Sequence, residues 1–205
     1  MADIDAIMTS SPVIPVLVID RVEDAVPIAE ALVAGGLRVL EVTLRTPAAL
    51  DAIKAMSAVD GAIVGAGTVL NPDHLDQATA AGSRFVVSPG LTRPLSEAAK
   101  SSGVPFLPGV ASASDVMRAL DLGFSRLKFF PATESGGIPA LKALSAVFGD
   151  VRFCPTGGIK LDTARDWLAL PSVACIGGSW IVPRGAEVDL RAITERAAAA
   201  AQLAA

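Results

Sequence analysis

The amino-acid sequence predicts an α/β fold: a (β/α)8 barrel of the TIM type that forms one domain over residues 1–205. Three observations predict it. Short apolar runs recur eight times, their starts roughly 20 to 26 residues apart. Segments with helical periodicity lie between these runs, and the length of 205 residues suits a single domain. Eight strand–helix units most naturally close into a barrel.

The eight runs are rich in Val, Ile, Leu and Phe and are bounded by Gly and Pro. Continuous apolar runs of this kind are typical of parallel strands that are buried on both faces. In chain order they are VIPVLVI (from Val13), RVLEVTL (Arg38), AIVGAG (Ala62), RFVVS (Arg84), PFLPGV (Pro105), RLKFF (Arg126), VRFCPT (Val151) and SVACIGG (Ser172).

The intervening segments carry helix starts and stops. VEDAVPIAEALVAGG has an apolar stripe and ends in Gly35–Gly36, a typical helix stop. Asn71, Thr92 and Ser112 stand where they can cap the helices that follow them. The Ala-rich tail, residues 187–205, is predicted to be a closing helix. An open doubly wound sheet is the alternative fold; it is weaker because the first strand lacks a G-x-G-x-x-G turn.

The composition narrows the classes of function. Hydrophobic residues make up 52% and charged residues 19%, which indicates a packed globular protein. The net charge of −4 disfavours nucleic acid and anionic lipid as partners. Despite a mean hydropathy of +0.54, no uninterrupted apolar stretch reaches the length of a membrane span, and the N-terminus does not resemble a signal peptide. Cys154 and Cys175 lie in apolar runs and are interpreted as buried reduced thiols, consistent with the cytoplasm.

Lys128 is the strongest candidate for a catalytic residue. Of the five lysines, it alone lies inside an apolar strand, RLKFF. Burial disfavours the charged ammonium, and a neutral amine is a nucleophile that can form a Schiff base with a carbonyl. The alternative is a buried ion pair that only stabilises the barrel interior.

Glu41 is the only carboxylate inside a strand run, and alternation places it on one face with Thr43 and Arg45. If that face is the interior, Glu41 could pair with Lys128 and act as a general acid/base. Arg45 would then present its planar guanidinium to a carboxylate or phosphate. A structural Glu41–Arg45 pair is the competing interpretation.

Glycine-rich turns follow the last two predicted strands: TGGI from Thr156 and IGGSW from Ile176. Backbone N–H groups at such turns can approach a phosphate closely, and this position is the usual phosphate site of the barrel. Thr68 and Pro89 fall at the ends of the third and fourth strands. Position alone leaves open whether they line a pocket or only turn the chain.

Six motifs, EVTLRT, VGAGTVLNP, SPGLT, KFFPA, RFCPTGGI and CIGGSW, together resemble the 2-keto-3-deoxy-6-phosphogluconate (KDPG)/4-hydroxy-2-oxoglutarate aldolase family. They follow the family's order over most of the chain. The resemblance implies a barrel of the class I aldolase type, with Lys128 as the Schiff-base lysine and Glu41 as the general acid/base. The substrate-binding residues it implies are Arg45, Thr68, Pro89, Phe130, Thr156, Gly157, Gly158, Gly178 and Ser179.

The same resemblance implies a carbon–carbon lyase of the Entner–Doudoroff pathway. It would cleave a phosphorylated keto acid to pyruvate and glyceraldehyde 3-phosphate without a metal or cofactor, as a cytoplasmic homotrimer. Activity on 4-hydroxy-2-oxoglutarate is plausible because the pyruvate half is shared. The alternatives are a phosphosugar isomerase or epimerase, which would not need a buried lysine, and a non-catalytic barrel that binds phosphometabolites.

Overall fold

The computed structural model of the protein describes residues 3–185 and 187–203 and contains a barrel of parallel strands surrounded by helices. Every one of the eight predicted apolar runs contains strand structure. In chain order the strands are β1 (Val13–Leu17), β2 (Val39–Thr43), β3 (Ile63–Gly67), β4 (Val86–Val87), β5 (Phe106–Leu107), β6 (Gly109–Val110), β7 (Arg126–Phe129), β8 (Arg152–Pro155) and β9 (Ile176–Gly178).

The strands form two hydrogen-bonded sets, with orders β5-β4-β3-β2-β1-β9 and β6-β7-β8. β5 and β6 both come from the fifth predicted run and are separated by Pro108, which has no N–H to donate. Two isolated parallel bridges, Phe153 to Val173 and Thr156 to Gly177, connect the seventh run to the eighth. The strands therefore follow one another around a barrel, and the open doubly wound alternative is wrong.

The helices alternate with the strands, and those after α1 cover the outside of the barrel. They are α1 (Ile4–Thr9), α2 (Ala25–Ala34), α3 (Ala49–Met56), α4 (Pro72–Ala80), α5 (Arg93–Ser102), α6 (Ala113–Asp121), α7 (Gly137–Val147), α8 (Leu161–Leu168) and α9 (Leu190–Ala201). A 3-10 turn, Val22–Asp24, precedes α2. None of the helices in the described ranges is long and apolar enough to cross a membrane.

The predicted caps are confirmed. The side chains of Asn71, Thr92 and Ser112 accept hydrogen bonds from the first turns of α4, α5 and α6. The predicted tail helix is shorter than expected, because the Asp189 side chain caps it and α9 therefore begins at Leu190. Residues 204–205 of that prediction lie outside the described part of the chain.

Side chains alternate between the inside of the barrel and its helical shell. The outward residues, such as Leu40 and Phe129, belong to the large core under the helices. The inward residues at the amino-terminal end form a smaller apolar cluster, which α1 covers with Ile7 and Met8. An Asp5–Arg126 ion pair fastens α1 to β7. One end of the barrel is thus filled, and polar inward side chains collect at the carboxyl ends of the strands.

Candidate active site

Lys128 and Glu41 meet inside the barrel. They come from β7 and β2, which lie on opposite sides of the ring of strands. Lys128 Nζ donates a hydrogen bond of 3.0 Å to Glu41 Oε1, and the two residues are 5% and 3% exposed. Desolvating two charges is expensive, so such a pair is weak support for stability. A buried titratable pair in a cavity is a candidate for chemistry instead.

The pair lies at the bottom of a cavity of about 290 Å³ that opens at the carboxyl ends of the strands. Seven of the eleven predicted site residues line this cavity: Glu41, Arg45, Thr68, Pro89, Lys128, Phe130 and Thr156. Phe130 also places its ring 5.3 Å from Lys128 Nζ, where it shields the amine from water. These residues come from distant parts of the sequence, and the barrel brings them together.

Arg45 lies two residues beyond the end of β2 and is solvent-exposed at the cavity wall. It forms no ion pair with any other described residue, and Glu41 bonds to Lys128 instead. The structural Glu41–Arg45 pair is therefore not formed. The Arg45 guanidinium is left available to an anionic ligand.

Thr68 is the one non-glycine residue with a positive φ within the described ranges; its φ is 60°. A β-branched residue rarely adopts this conformation, and such backbone strain is concentrated at functional sites. In this conformation Thr68 lies at the cavity wall, immediately after β3. This answers the question that position alone left open, because Thr68 lines the pocket as well as turning the chain.

Two glycine turns adjoin the Thr156 end of the cavity. The bridge between Thr156 and Gly177 places the carboxyl ends of β8 and β9 side by side. Gly157 and Gly158 have φ values of 106° and 74°, which other residues rarely adopt. Their N–H groups donate no hydrogen bond to another described residue, so they remain free donors. Such consecutive N–H groups suit a phosphate.

Of the two remaining predicted residues of this end, Gly178 is the last residue of β9 and Ser179 follows it. Ser179 is exposed, whereas Gly178 is buried under the ring of Trp180. These two glycine turns do not line the cavity that holds the lysine. Thr156, which does line the cavity, directly precedes Gly157 and pairs with Gly177.

Val16 and Thr43 also line the cavity, and the sequence did not single them out as site residues. The alternation of residues in the sequence could have indicated Thr43, because it shares the inward face of β2 with Glu41. Its hydroxyl donates to the Leu17 carbonyl at 2.9 Å and so ties β2 to β1 beside the pair. Val16 had no such signal, because an inward valine looks like any other core residue.

The two thiols lie below the pair. Cys154 and Cys175 are both buried and belong to the inner apolar cluster. Hydrogen bonding with Cys154 and burial raise the pKa of the Cys175 thiol well above its usual value. The prediction of buried thiols is confirmed.

A parallel α/β barrel with one buried lysine bonded to a glutamate in a cavity at the carboxyl ends of the strands defines the class of Schiff-base aldolase barrels. Residues 4–196 match the model of the KDPG and KHG aldolase family. The chain belongs to this family.

Related sequences and solved structures agree with this family assignment. The chain is 60% identical over 194 residues to a 2-dehydro-3-deoxy-phosphogluconate aldolase of Zymomonas mobilis, covering 95% of this chain and 93% of the relative. The fold matches the Zymomonas mobilis 2-keto-3-deoxy-6-phosphogluconate aldolase crystallised with 3-phosphoglycerate, with a TM-score of 0.96, 58% identity, and coverage of 98% and 96%. A Legionella pneumophila KDPG aldolase that holds pyruvate as a covalent carbinolamine matches with a TM-score of 0.94, 50% identity and 98% coverage of both chains.

Proposed function

We propose that the chain is a 2-dehydro-3-deoxy-phosphogluconate aldolase, an aldehyde-lyase that reversibly cleaves KDPG to pyruvate and glyceraldehyde 3-phosphate. The observation that carries the proposal is the buried hydrogen bond of 3.0 Å between Lys128 and Glu41 inside the cavity. An isomerase, an epimerase or a simple binding barrel has no need of a buried amine there. The covalent pyruvate adduct of the Legionella relative supports the same chemistry.

Lys128 begins the reaction. Its neutral amine attacks the C2 ketone of the substrate and gives a carbinolamine, which loses water to form an iminium. The iminium nitrogen attracts electrons, so it can accept the electron pair of the C3–C4 bond. Lys128 therefore supplies the electron sink of the reaction.

Glu41 moves the protons. As the C3–C4 bond breaks, Glu41, acting through a water molecule, takes the proton of the C4 hydroxyl. Glyceraldehyde 3-phosphate leaves, and the bond's electron pair stays in the enamine. Protonation at C3 and hydrolysis then release pyruvate and restore the Lys128 amine.

The two ends of the site divide the substrate between them. Arg45 would bind the carboxylate of the pyruvate half, because its guanidinium is free and faces the cavity. Thr68, Pro89 and Phe130 would enclose that half. Thr156 and the turns at Gly157–Gly158 and Gly178–Ser179 would bind the phosphate through N–H and hydroxyl groups. The shared pyruvate half also favours some activity on 4-hydroxy-2-oxoglutarate.

The location, the pathway and the oligomeric state of the enzyme are also proposed. We propose that the enzyme acts in the cytoplasm, in the Entner–Doudoroff pathway, as a homotrimer. In α7 only Leu141 is fully buried, and Val147 is 74% exposed, so this apolar helix supports association between copies. Analytical ultracentrifugation tests the proposed trimer. A particle with the mass of one 20.8 kDa chain would contradict it.

Pyruvate release tests the activity. Purified protein is mixed with KDPG, and pyruvate is followed through lactate dehydrogenase and NADH. The proposal expects turnover with KDPG, and slower turnover with 4-hydroxy-2-oxoglutarate. No pyruvate from either substrate would contradict it, and an epimerised or isomerised phosphosugar would favour the isomerase alternative.

A further inference from the structure

The inner face of β3 carries no side chains toward its carboxyl end. Gly65 and Gly67 both point inward, on the strand next to the one that carries Glu41. A Cβ atom built on Gly65 would meet the Phe85 ring at 2.4 Å, and the space there is part of the interior packing. Gly67 faces a different neighbour.

At Gly67 the space is occupied by the candidate acid. A Cβ atom there would lie 2.2 Å from Oε1 of Glu41, 2.7 Å from its Cγ and 2.8 Å from its Cδ. The nearest atom, Oε1, is the one that accepts the hydrogen bond from Lys128. The Glu41 side chain thus lies against the bare backbone of β3, in a space that any other residue at position 67 would fill.

We infer that Gly67 is a positioning residue: it leaves the space that holds the Glu41 carboxylate at hydrogen-bond distance from Lys128. The inference rests on the proposed function, in which Glu41 carries the protons. The inference adds Gly67 to the residues on which the reaction depends. Gly67 touches no substrate and acts only through Glu41.

The same arrangement occurs on the other side of the cavity. A Cβ atom on Gly177 would lie 2.2 Å from Oγ1 of Thr156 and 2.9 Å from its Cβ. Because a threonine Cβ cannot rotate away, an alanine at position 177 would also displace the backbone. Gly67 is therefore the position at which the inference can be tested without disturbing the strand.

Gly67→Ala should fold normally. The φ of Gly67 lies outside the left-handed region, so alanine can adopt this backbone conformation. The three atoms that the new methyl group meets all belong to the flexible Glu41 side chain. The Glu41 side chain can rotate away without moving the β3 backbone, and its carboxylate then leaves Lys128.

The test combines Gly67→Ala with Glu41→Ala and measures turnover of KDPG. General acid–base catalysis contributes about 10²–10⁴-fold, and we expect Gly67→Ala to lower kcat roughly 10- to 1,000-fold, with a much smaller change in KM. Trapping of pyruvate on Lys128 by borohydride should persist. In the Glu41→Ala background, Gly67→Ala should have almost no further effect, because the side chain it displaces is gone. The control is Gly149→Ala, since nothing lies within 4 Å of a Cβ atom at that position.

Two kinetic results would overturn the inference. One is wild-type kcat in Gly67→Ala, and the other is an equal loss of kcat in the wild-type and Glu41→Ala backgrounds, which would indicate a general disturbance of β3. A crystal structure of Gly67→Ala tests the inference independently of activity. A distance of more than 3.5 Å between Glu41 Oε1 and Lys128 Nζ supports the inference, and an unchanged hydrogen bond overturns it. An inactive wild-type protein would refute the proposed function instead, and the crystal structure would still decide on Gly67.

Discussion

Lys128 Nζ and Glu41 Oε1 are 3.0 Å apart across the inside of the barrel, and both side chains are almost fully buried. The lysine needs a neutral state to attack a ketone, and the carboxylate beside it can exchange the necessary proton over a short distance. The pair therefore joins the nucleophile and the acid/base of the proposed reaction in one contact. Removing either partner leaves the other charge buried and unpaired, which is costly.

Glu41→Gln should separate proton transfer by Glu41 from Schiff-base formation by Lys128. Glutamine has the same shape and can still accept the hydrogen bond from Lys128, but it cannot carry a proton. We expect kcat for KDPG cleavage to fall about 10²–10⁴-fold while the Schiff base with pyruvate still forms. Stopped-flow turnover and borohydride trapping measure the two steps. Glu97→Gln, on the exposed face of α5, is the matched control; a Glu41→Gln enzyme as fast as this control would remove Glu41 from the mechanism.

Arg45→Ala should weaken substrate binding more than it slows the chemistry. A hydrogen bond between charged groups contributes about 1.5–3 kcal/mol, which corresponds to a rise in KM of roughly 10- to 100-fold. Arg45→Lys should restore only part of the affinity, because an ammonium cannot bind a carboxylate in the bidentate manner of a guanidinium. Steady-state kinetics with KDPG checks this, with Arg165→Ala on the exposed side of α8 as control. An unchanged KM in Arg45→Ala would assign the carboxylate to another group.

The sequence predicted the strands well because most inward and outward residues of a parallel barrel are apolar, so every strand appears as an almost continuous apolar run. Lys128 and Glu41 were conspicuous because each interrupts such a run. The break at Pro108 was harder to foresee, since its carbonyl still accepts the Lys128 N–H at 2.8 Å although the ladder is interrupted. The backbone strain at Thr68 and the role of Gly67 depend on neighbours that are distant in sequence. No local pattern contains them.

The start of α6 should contribute to stability in a pH-dependent way. Ser112 and Asp115 form a capping box, each side chain accepting a backbone N–H of the other residue. Partial burial opposes ionisation of Asp115, but the hydrogen bonds from the Ser112 side chain and from the N–H groups of Ala111 and Ser112, together with Arg118, outweigh it. They hold the pKa of Asp115 below its usual value of 3.8.

A lowered pKa in the folded state means that the unfolded chain binds the proton more readily. The stabilisation is therefore complete above pH 3.8 and is lost as the pH falls through the folded-state pKa. Urea unfolding should show Asp115→Asn as destabilised at pH 6 and closer to wild type at pH 3. Ser112→Ala should lose about 0.5–2 kcal/mol at pH 6. An Asp115→Asn difference that does not change with pH would contradict this account.

The buried thiols should be unreactive in the folded protein. Cys154 is 2% exposed and Cys175 is fully buried, and the raised pKa of Cys175 disfavours its thiolate, which is the reactive form. Ellman's reagent should label neither thiol in native protein over minutes and both in 6 M guanidinium chloride. Rapid labelling of the native protein would mean that the barrel opens near the lysine.

The most direct test of the central claim is borohydride trapping. The protein is incubated with pyruvate and reduced, and the adduct is located by peptide mass spectrometry. The account predicts a single adduct on Lys128, absent in Lys128→Ala and retained in Lys54→Ala, where the lost lysine lies on the exposed face of α3. No adduct, or adducts spread over the exposed lysines, would contradict the assignment of Lys128 as the Schiff-base residue.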